Sequence, residues 1–163
     1  MRADGTVRRR AAQRRRDTPE ILVTEKDMWV STVHPRHGPH QVTLWFRWDG
    51  RAAWMCTGAA SATARNVRVE PRVRLALPDT FDGVLLQGEA ECFPDEDVPA
   101  AAAEAFAARF GGDPRAEEGA CLCLCLCVVP KSVLAWRGTP EPRGRVVMGD
   151  GTRLGRGTAA SHP

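Results

Sequence analysis

PHQVTLWFRWDGRAAWMCTGAASATARNVRVEPRVRLAL, residues 39–77, decides the fold. Its opening alternates: Val42, Leu44, Phe46 and Trp48 fall on one face of a strand and Thr43, Trp45 and Arg47 on the other, because successive strand side chains point to opposite faces. Asp49-Gly50 follows as a strong hairpin signal, since a type I′ turn needs positive φ at both central positions. A partner strand is therefore expected from Arg51 to Thr57, ending at Gly58. Ser61 is then placed to cap a helix running to about Glu70, which Pro71 stops. Val73, Leu75 and Leu77 resume the alternation along a strand from Arg72.

Working outward, Met28 to His34 reads as a strand and Pro35 to Gly38 as its turn. A short helix is expected from Thr18 to Asp27, with Pro19 in its first turn and Ile21 and Leu22 toward the core. Downstream, Gly83 to Phe93 is a strand in which Gly88 marks a bulge. Asp95 to Phe110 is an alanine-rich helix stopped by Gly111. Cys121 to Val129 alternates as a further strand, and Lys131 to Arg137 forms a last short one around Trp136. Residues 28 to 137 thus predict one mainly β (α+β) domain: about six strands in a barrel, with a helix after the third strand and another after the fifth.

The chain has 163 residues and 43% hydrophobic content, which suits one domain able to bury a core. Its net charge of +3 is concentrated in Arg2, Arg8, Arg9, Arg10, Arg14, Arg15 and Arg16. With almost nothing apolar between these arginines, residues 1–17 are expected to be a frayed helix or disordered arm, residues 18–137 the domain, and residues 138–163 a flexible tail. No folded nucleic-acid reader accompanies the arginines, so nucleic acid is not the expected partner. The sequence has no run of roughly 18 apolar residues to span a membrane and no apolar segment after the basic N-terminus, which reads as cytoplasmic. Six cysteines in such a chain are expected to be reduced thiols.

Chemistry concentrates between Trp54 and Asn66. A helix N-terminus presents unpaired N–H groups and the positive end of a dipole, while Thr57, Ser61 and Thr63 add hydroxyls and Arg65 adds charge. That combination suits an anion; the alternative is that Ser61 merely caps the helix and Asn66 satisfies a loop.

The Pro39-His40 turn, the strand through Trp45-Phe46, the Asp-Gly hairpin, Thr57-Gly58, Ser61, Ala64-Arg65-Asn66 and Glu70-Pro71-Arg72-Val73 occur in an order that resembles the pyridoxamine 5′-phosphate oxidase-like split-barrel family, including its coenzyme F420-dependent branch. Gly88-Glu89-Ala90-Glu91 and the segment from Pro130 to Arg137 extend the resemblance over most of residues 28–137. The resemblance implies a six-stranded split barrel and a homodimer binding FMN or coenzyme F420 at the subunit interface. It implies an oxidoreductase passing hydride to a small organic substrate, with no dedicated catalytic residue singled out. Thr57, Ser61, Thr63, Arg65 and Asn66 would lie on the phosphate side, and Val42, Thr43, Leu44 and Trp45 would flank the ring system. Many members carry a lysine two residues after the serine, where this chain has Thr63. Arg51 and Arg65 are the residues that would compensate. The departure keeps open a non-catalytic split barrel that binds a flavin or a tetrapyrrole.

Two clusters invite a metal and do not fit one. Cys121, Cys123, Cys125 and Cys127 project from one face of a strand about 6.5–7 Å apart, whereas tetrahedral zinc needs four sulfurs at about 2.3 Å. They read as small buried side chains. His34, His37 and His40 span a turn without an acidic or cysteine ligand beside them and read as solvated, with His40 shaping the cofactor pocket. Trp136 reads as a core or dimer-interface aromatic.

Overall fold

A computed structural model describes residues 9–112, 123–138 and 145–153. Its elements run α1 (Ala11–Thr24), β1 (Asp27–His34), β2 (Gly38–Trp48), β3 (Ala53–Gly58), α2 (Ala62–Val69), β4 (Arg72–Ala76), β5 (Asp82–Pro94), a 3-10 turn (Asp95–Asp97), α3 (Ala100–Phe110), β6 (Cys123–Arg137), β7 (Val146–Gly149) and β8 (Thr152–Arg153). Antiparallel pairing gives the order β3-β2-β1-β4-β5-β6, and β3 pairs back onto β6, so six strands close into a split barrel. No helix among the described residues is long and apolar enough to cross a membrane.

The alternation places the core where period two requires. Phe46 and Trp48 of β2, Met28 and Val30 of β1, Met55 of β3, Leu75 of β4, and Val84 and Leu86 of β5 point inward together. Burying each such side chain contributes about 1.5–3 kcal/mol. Leu22 of α1 and Ala64 and Val67 of α2 join the same cluster.

Five local expectations are corrected. The hairpin after β2 is not a two-residue turn: Trp48 pairs with Ala53, so the loop spans residues 49–52, and only Gly50 in it has positive φ (98°). Asp49 holds the loop through its side chain, accepting the Arg51 and Ala52 N–H groups at 2.8 and 2.7 Å and the Trp54 indole N–H at 2.8 Å. Partial burial works against its charge, but those N–H donors and Arg47 outweigh it and hold the carboxyl below its ordinary range. Among the described residues, the dipeptide with positive φ at both positions is Asp150-Gly151 (50° and 73°), which joins β7 to β8.

Next, β6 is one strand rather than two. Its inward phase changes from Leu126 and Val128 to Val133 and Ala135. The cause is a bulge: Gly88 pairs with Pro130 and Gln87 with Ser132, leaving Lys131 as the extra residue. Proline, which cannot donate to a ladder, is tolerated at such an interruption. The Lys131 carbonyl instead accepts the Gly151 N–H at 2.7 Å.

The helix expected from Thr18 begins seven residues earlier, at Ala11, and within it Arg14 is buried. Arg9 is 4% exposed and donates to Asp82 at 2.7 Å, while Arg14 donates to the Arg9 carbonyl at 2.7 Å. Arginine stems cover apolar surface when their heads find acceptors, and the acceptor here lies in a distant strand. Residues 1–8 of the expected arm lie outside the described residues. The segment expected to be tail likewise contributes β7 and β8, with β7 pairing on β6.

The helix expected over Asp95–Phe110 starts only after Pro99, because a proline disfavours helical backbone in the residue before it. It ends at Gly111 with φ of 79°. Phe110 stacks on Trp45 of β2 at 5.2 Å, and Arg109 donates to the Val23, Thr24 and Glu25 carbonyls at the end of α1.

Candidate functional site

The end of β3 and the start of α2 are joined by hydroxyl chemistry. Ser61 is the N-cap, its Oγ accepting the Ala64 N–H at 3.1 Å, and it lies 3.0 Å from the Thr57 hydroxyl. Its own N–H donates to the Gly58 carbonyl at 2.9 Å. The Ala62 and Thr63 amides that follow have no intrahelical acceptor, as at any helix start. Arg65 donates to the Ala60 carbonyl, and Arg68 donates to the Ala59 carbonyl at 2.7 Å. Two guanidiniums therefore steady the loop in front of the helix.

On the other side of α2 lies a cleft of about 330 Å³, walled by His34, His37, Gly38, Pro39, His40, Ala62, Arg65 and Asn66. The fold assembles it by pinning α2 against β1: the Asn66 side-chain amide donates to the buried Thr32 hydroxyl at 3.0 Å. Thr32 pairs with His40 across β1 and β2, so His40 stands beside Asn66. The β1–β2 turn supplies the other imidazoles. His34 and His37 have ring centroids 4.5 Å apart, and His34 Nδ1 accepts the Arg36 N–H at 3.1 Å. Among the described residues no carboxylate lines the cleft, while one guanidinium and three imidazoles do. A second cleft, between α1 and β7, is apolar and measures about 30 Å³.

The nine residues expected at the site separate into five groups. Arg65 and Asn66 line the cleft. Thr57 and Ser61 meet each other at the loop. Thr63 is 2% exposed, so its hydroxyl is withdrawn from solvent. Val42 and Leu44 pack against the core, while Thr43 and Trp45 are exposed on the outer face of β2, Trp45 by 57%. The sequence named His40 for the pocket but His34 and His37 read as solvated, and Pro39 and Ala62, though inside the motifs singled out, were not assigned to the pocket wall. The available signal was the concentration of three histidines around one turn. Among the described residues, no group of three or more His, Cys, Asp or Glu side chains is arranged to hold a metal ion. Cys121 lies outside the described residues.

The family model for pyridoxamine 5′-phosphate oxidase matches residues 19–136 of the chain. Three solved structures show the same architecture at low identity. An F420 reductase shares 22% identity and a TM-score of 0.57, covering 70% of this chain and 93% of its own. General stress protein 26 from Bacillus anthracis shares 16% and 0.57, covering 75% and 92%. A pyridoxamine 5′-phosphate oxidase-related, FMN-binding protein from Nostoc punctiforme shares 20% and 0.53, covering 78% and 80%. No protein of curated function matches the sequence.

Proposed function

The chain belongs to the pyridoxamine 5′-phosphate oxidase family, and from that premise we propose that it is a cytoplasmic oxidoreductase that binds coenzyme F420 or FMN as a homodimer and acts on a small organic substrate. The observation that carries this reading is the cleft of about 330 Å³ at the start of α2, walled by the Arg65 guanidinium and three imidazoles with no carboxylate among the described residues that line it. A phosphate is the anion such a place favours, because helix N–H groups and a guanidinium both stabilise it.

The residues present fit that end of either cofactor. Arg65 supplies fixed charge, Asn66 and His40 supply polar contacts, and the Ala62 and Thr63 amides supply donors. The side chain of Thr63 is buried and brings neither charge nor hydroxyl. Arg65 and the imidazoles therefore take the part that a lysine at that position would play. When bound, the cofactor supplies the hydride-transfer chemistry, and the protein orients it and excludes water. Thr43 and Trp45 would border the ring system on the outer face of β2. Trp29 and Val33 continue that face on β1, 41% and 39% exposed. Such an apolar surface is one that a second copy would cover.

The test is titration of the purified protein with F420 and with FMN, followed by fluorescence and absorbance. Binding of one of them well below about 1 mM is expected, together with at least a tenfold weakening in Arg65→Ala. The cofactor reading fails if neither binds. Placement of the phosphate at α2 fails if Arg65→Ala binds as the parent does. Sedimentation of the parent protein checks the dimer.

A further inference from the structure

Cys56 of β3 and Cys125 of β6 are directly opposed on the strand pair that closes the barrel. Opposed residues of an antiparallel pair have Cα atoms about 4.5–5.5 Å apart, within the range of about 4.4–6.8 Å that a disulfide spans. Both side chains lie on the outer face of the barrel beneath α3, in a niche with Val98, Ala102, Ala103 and Phe106. Their exposure is unequal: Cys125 is 2% exposed, whereas Cys56 is half-buried.

The other thiols with described side chains are placed differently. Cys127 is paired with Trp54 on one side and Glu91 on the other. Burial, with the charges of Asp49 and Glu91, pushes its thiol up to about 11 against the opposing pull of Arg51. Cys92 is paired with Leu126, and burial raises its thiol too. Neither is opposed by a cysteine.

We propose that Cys56 and Cys125 are a redox-active dithiol that closes into a cross-strand disulfide when the protein meets a low-molecular-weight disulfide. The Cys56 thiolate, the more accessible, attacks one sulfur of that reagent; a mixed disulfide forms, the reagent's own S–S bond breaks, and one thiolate leaves. The Cys125 thiolate then attacks the Cys56 sulfur, forming the Cys56–Cys125 bond and expelling the second thiolate. The two protons lost by the cysteines end on the two expelled thiols, so one dithiol is oxidised and one small disulfide is reduced. Opposed Cβ atoms stand about 4.5–5.5 Å apart, whereas a disulfide holds them at about 3.5–4.5 Å. The two ranges meet at about 4.5 Å, so the bond closes with little movement of β3 against β6. Its site is one residue before Thr57, which contacts the α2 cap, so the bond fastens the barrel seam where the α2 loop begins.

The experiment is incubation of the full chain with glutathione disulfide, followed by alkylation, intact mass measurement and peptide fragmentation. The expected product has lost two hydrogens and links Cys56 to Cys125 in most molecules, with Cys92 and Cys127 alkylated, and dithiothreitol restores the starting mass. Cys125→Ser is expected to accumulate a glutathione adduct on Cys56. Full alkylation of Cys56 and Cys125 in the treated parent protein, or a link from Cys56 to any other cysteine, overturns the proposal. That reading needs no variant, so a Cys125→Ser protein that misfolds does not affect it.

Discussion

Replacing Asp82 with Asn removes the charge that holds the segment before α1 against the barrel. One carboxylate oxygen of Asp82 accepts Arg9 Nη2 at 2.7 Å; the other accepts Arg137 Nε and Nη2 at 3.1 and 2.5 Å. An amide keeps one acceptor oxygen and turns two N–H donors toward a guanidinium. Hydrogen bonds to charged groups contribute about 1.5–3 kcal/mol each, but the three here are unequal. The Arg137 side chain is 32% exposed, so water replaces much of what it loses, whereas that of Arg9 is 3% exposed and cannot rehydrate in place. Losing one partner of a buried pair costs about 3–5 kcal/mol. With Asp82 itself 17% exposed, and with Asp17 still 3.3 Å from the Arg9 guanidinium, the lower end applies, and we expect a loss of about 3 kcal/mol. For a chain of this size that lowers Tm by about 6–12 °C. Urea unfolding followed by tryptophan fluorescence measures it as a fall in midpoint at constant slope. In an Arg9→Ala background the same substitution is expected to cost less than half as much. A loss below about 0.5 kcal/mol, the ordinary range of surface substitutions, or an equal cost in both backgrounds, refutes the docking of Arg9 as the cause.

Gly88→Ala tests the bulge. An added Cβ would meet the Val129 carbonyl oxygen at 2.7 Å and Val128 Cγ1 at 3.1 Å, and because the first is backbone the expected loss is about 1–3 kcal/mol, read as a drop in Tm; an unchanged Tm would show that the strand yields there. Glu70 tests the local charge pairing: hydrogen bonds from the Arg72 guanidinium at 2.8 and 2.6 Å, and from the Arg72 N–H, lower its carboxyl from 4.5 to about 2. Because the folded value lies below the unfolded one, its stabilising contribution is present above about pH 4.5 and is lost as the pH falls toward 2. A carbon-13 NMR titration should place the midpoint near 2 and return it toward 4.5 in Arg72→Ala; a parent midpoint already at 4.5 would refute the pairing.

Much of the barrel was legible because its signals are local. The alternation of β2, the Ser61 cap, the Gly88 bulge and the Gly111 stop each depend on residues within a few positions, and the ordered motifs from Pro39 to Val73 pointed to the family. The failures have separate causes. Asp49-Gly50 carries a strong I′ signal, yet the Asp49 side chain, held by three N–H donors, stabilises a longer loop. The alternation from Cys121 and that around Trp136 looked like two strands because a bulge at Lys131 shifts the phase within one.

Of the candidate site, the helix start at Ser61 and the presence of Arg65 and Asn66 were readable from sequence, since capping and helical spacing are short-range. The cleft was not, because its histidines come from a turn that reaches α2 through Asn66 and Thr32, 34 positions apart. The same holds for Arg9, whose partner Asp82 is 73 positions away, and for Cys56, which meets Cys125 only when β3 pairs with β6. By itself, then, the sequence determined the first five strands, the α2 cap and the family, all governed by local backbone preference and side-chain period. Only the closed barrel decided which arginines are buried, which thiols oppose each other and which imidazoles line the cleft beside α2, because those contacts follow from packing between segments far apart in the chain.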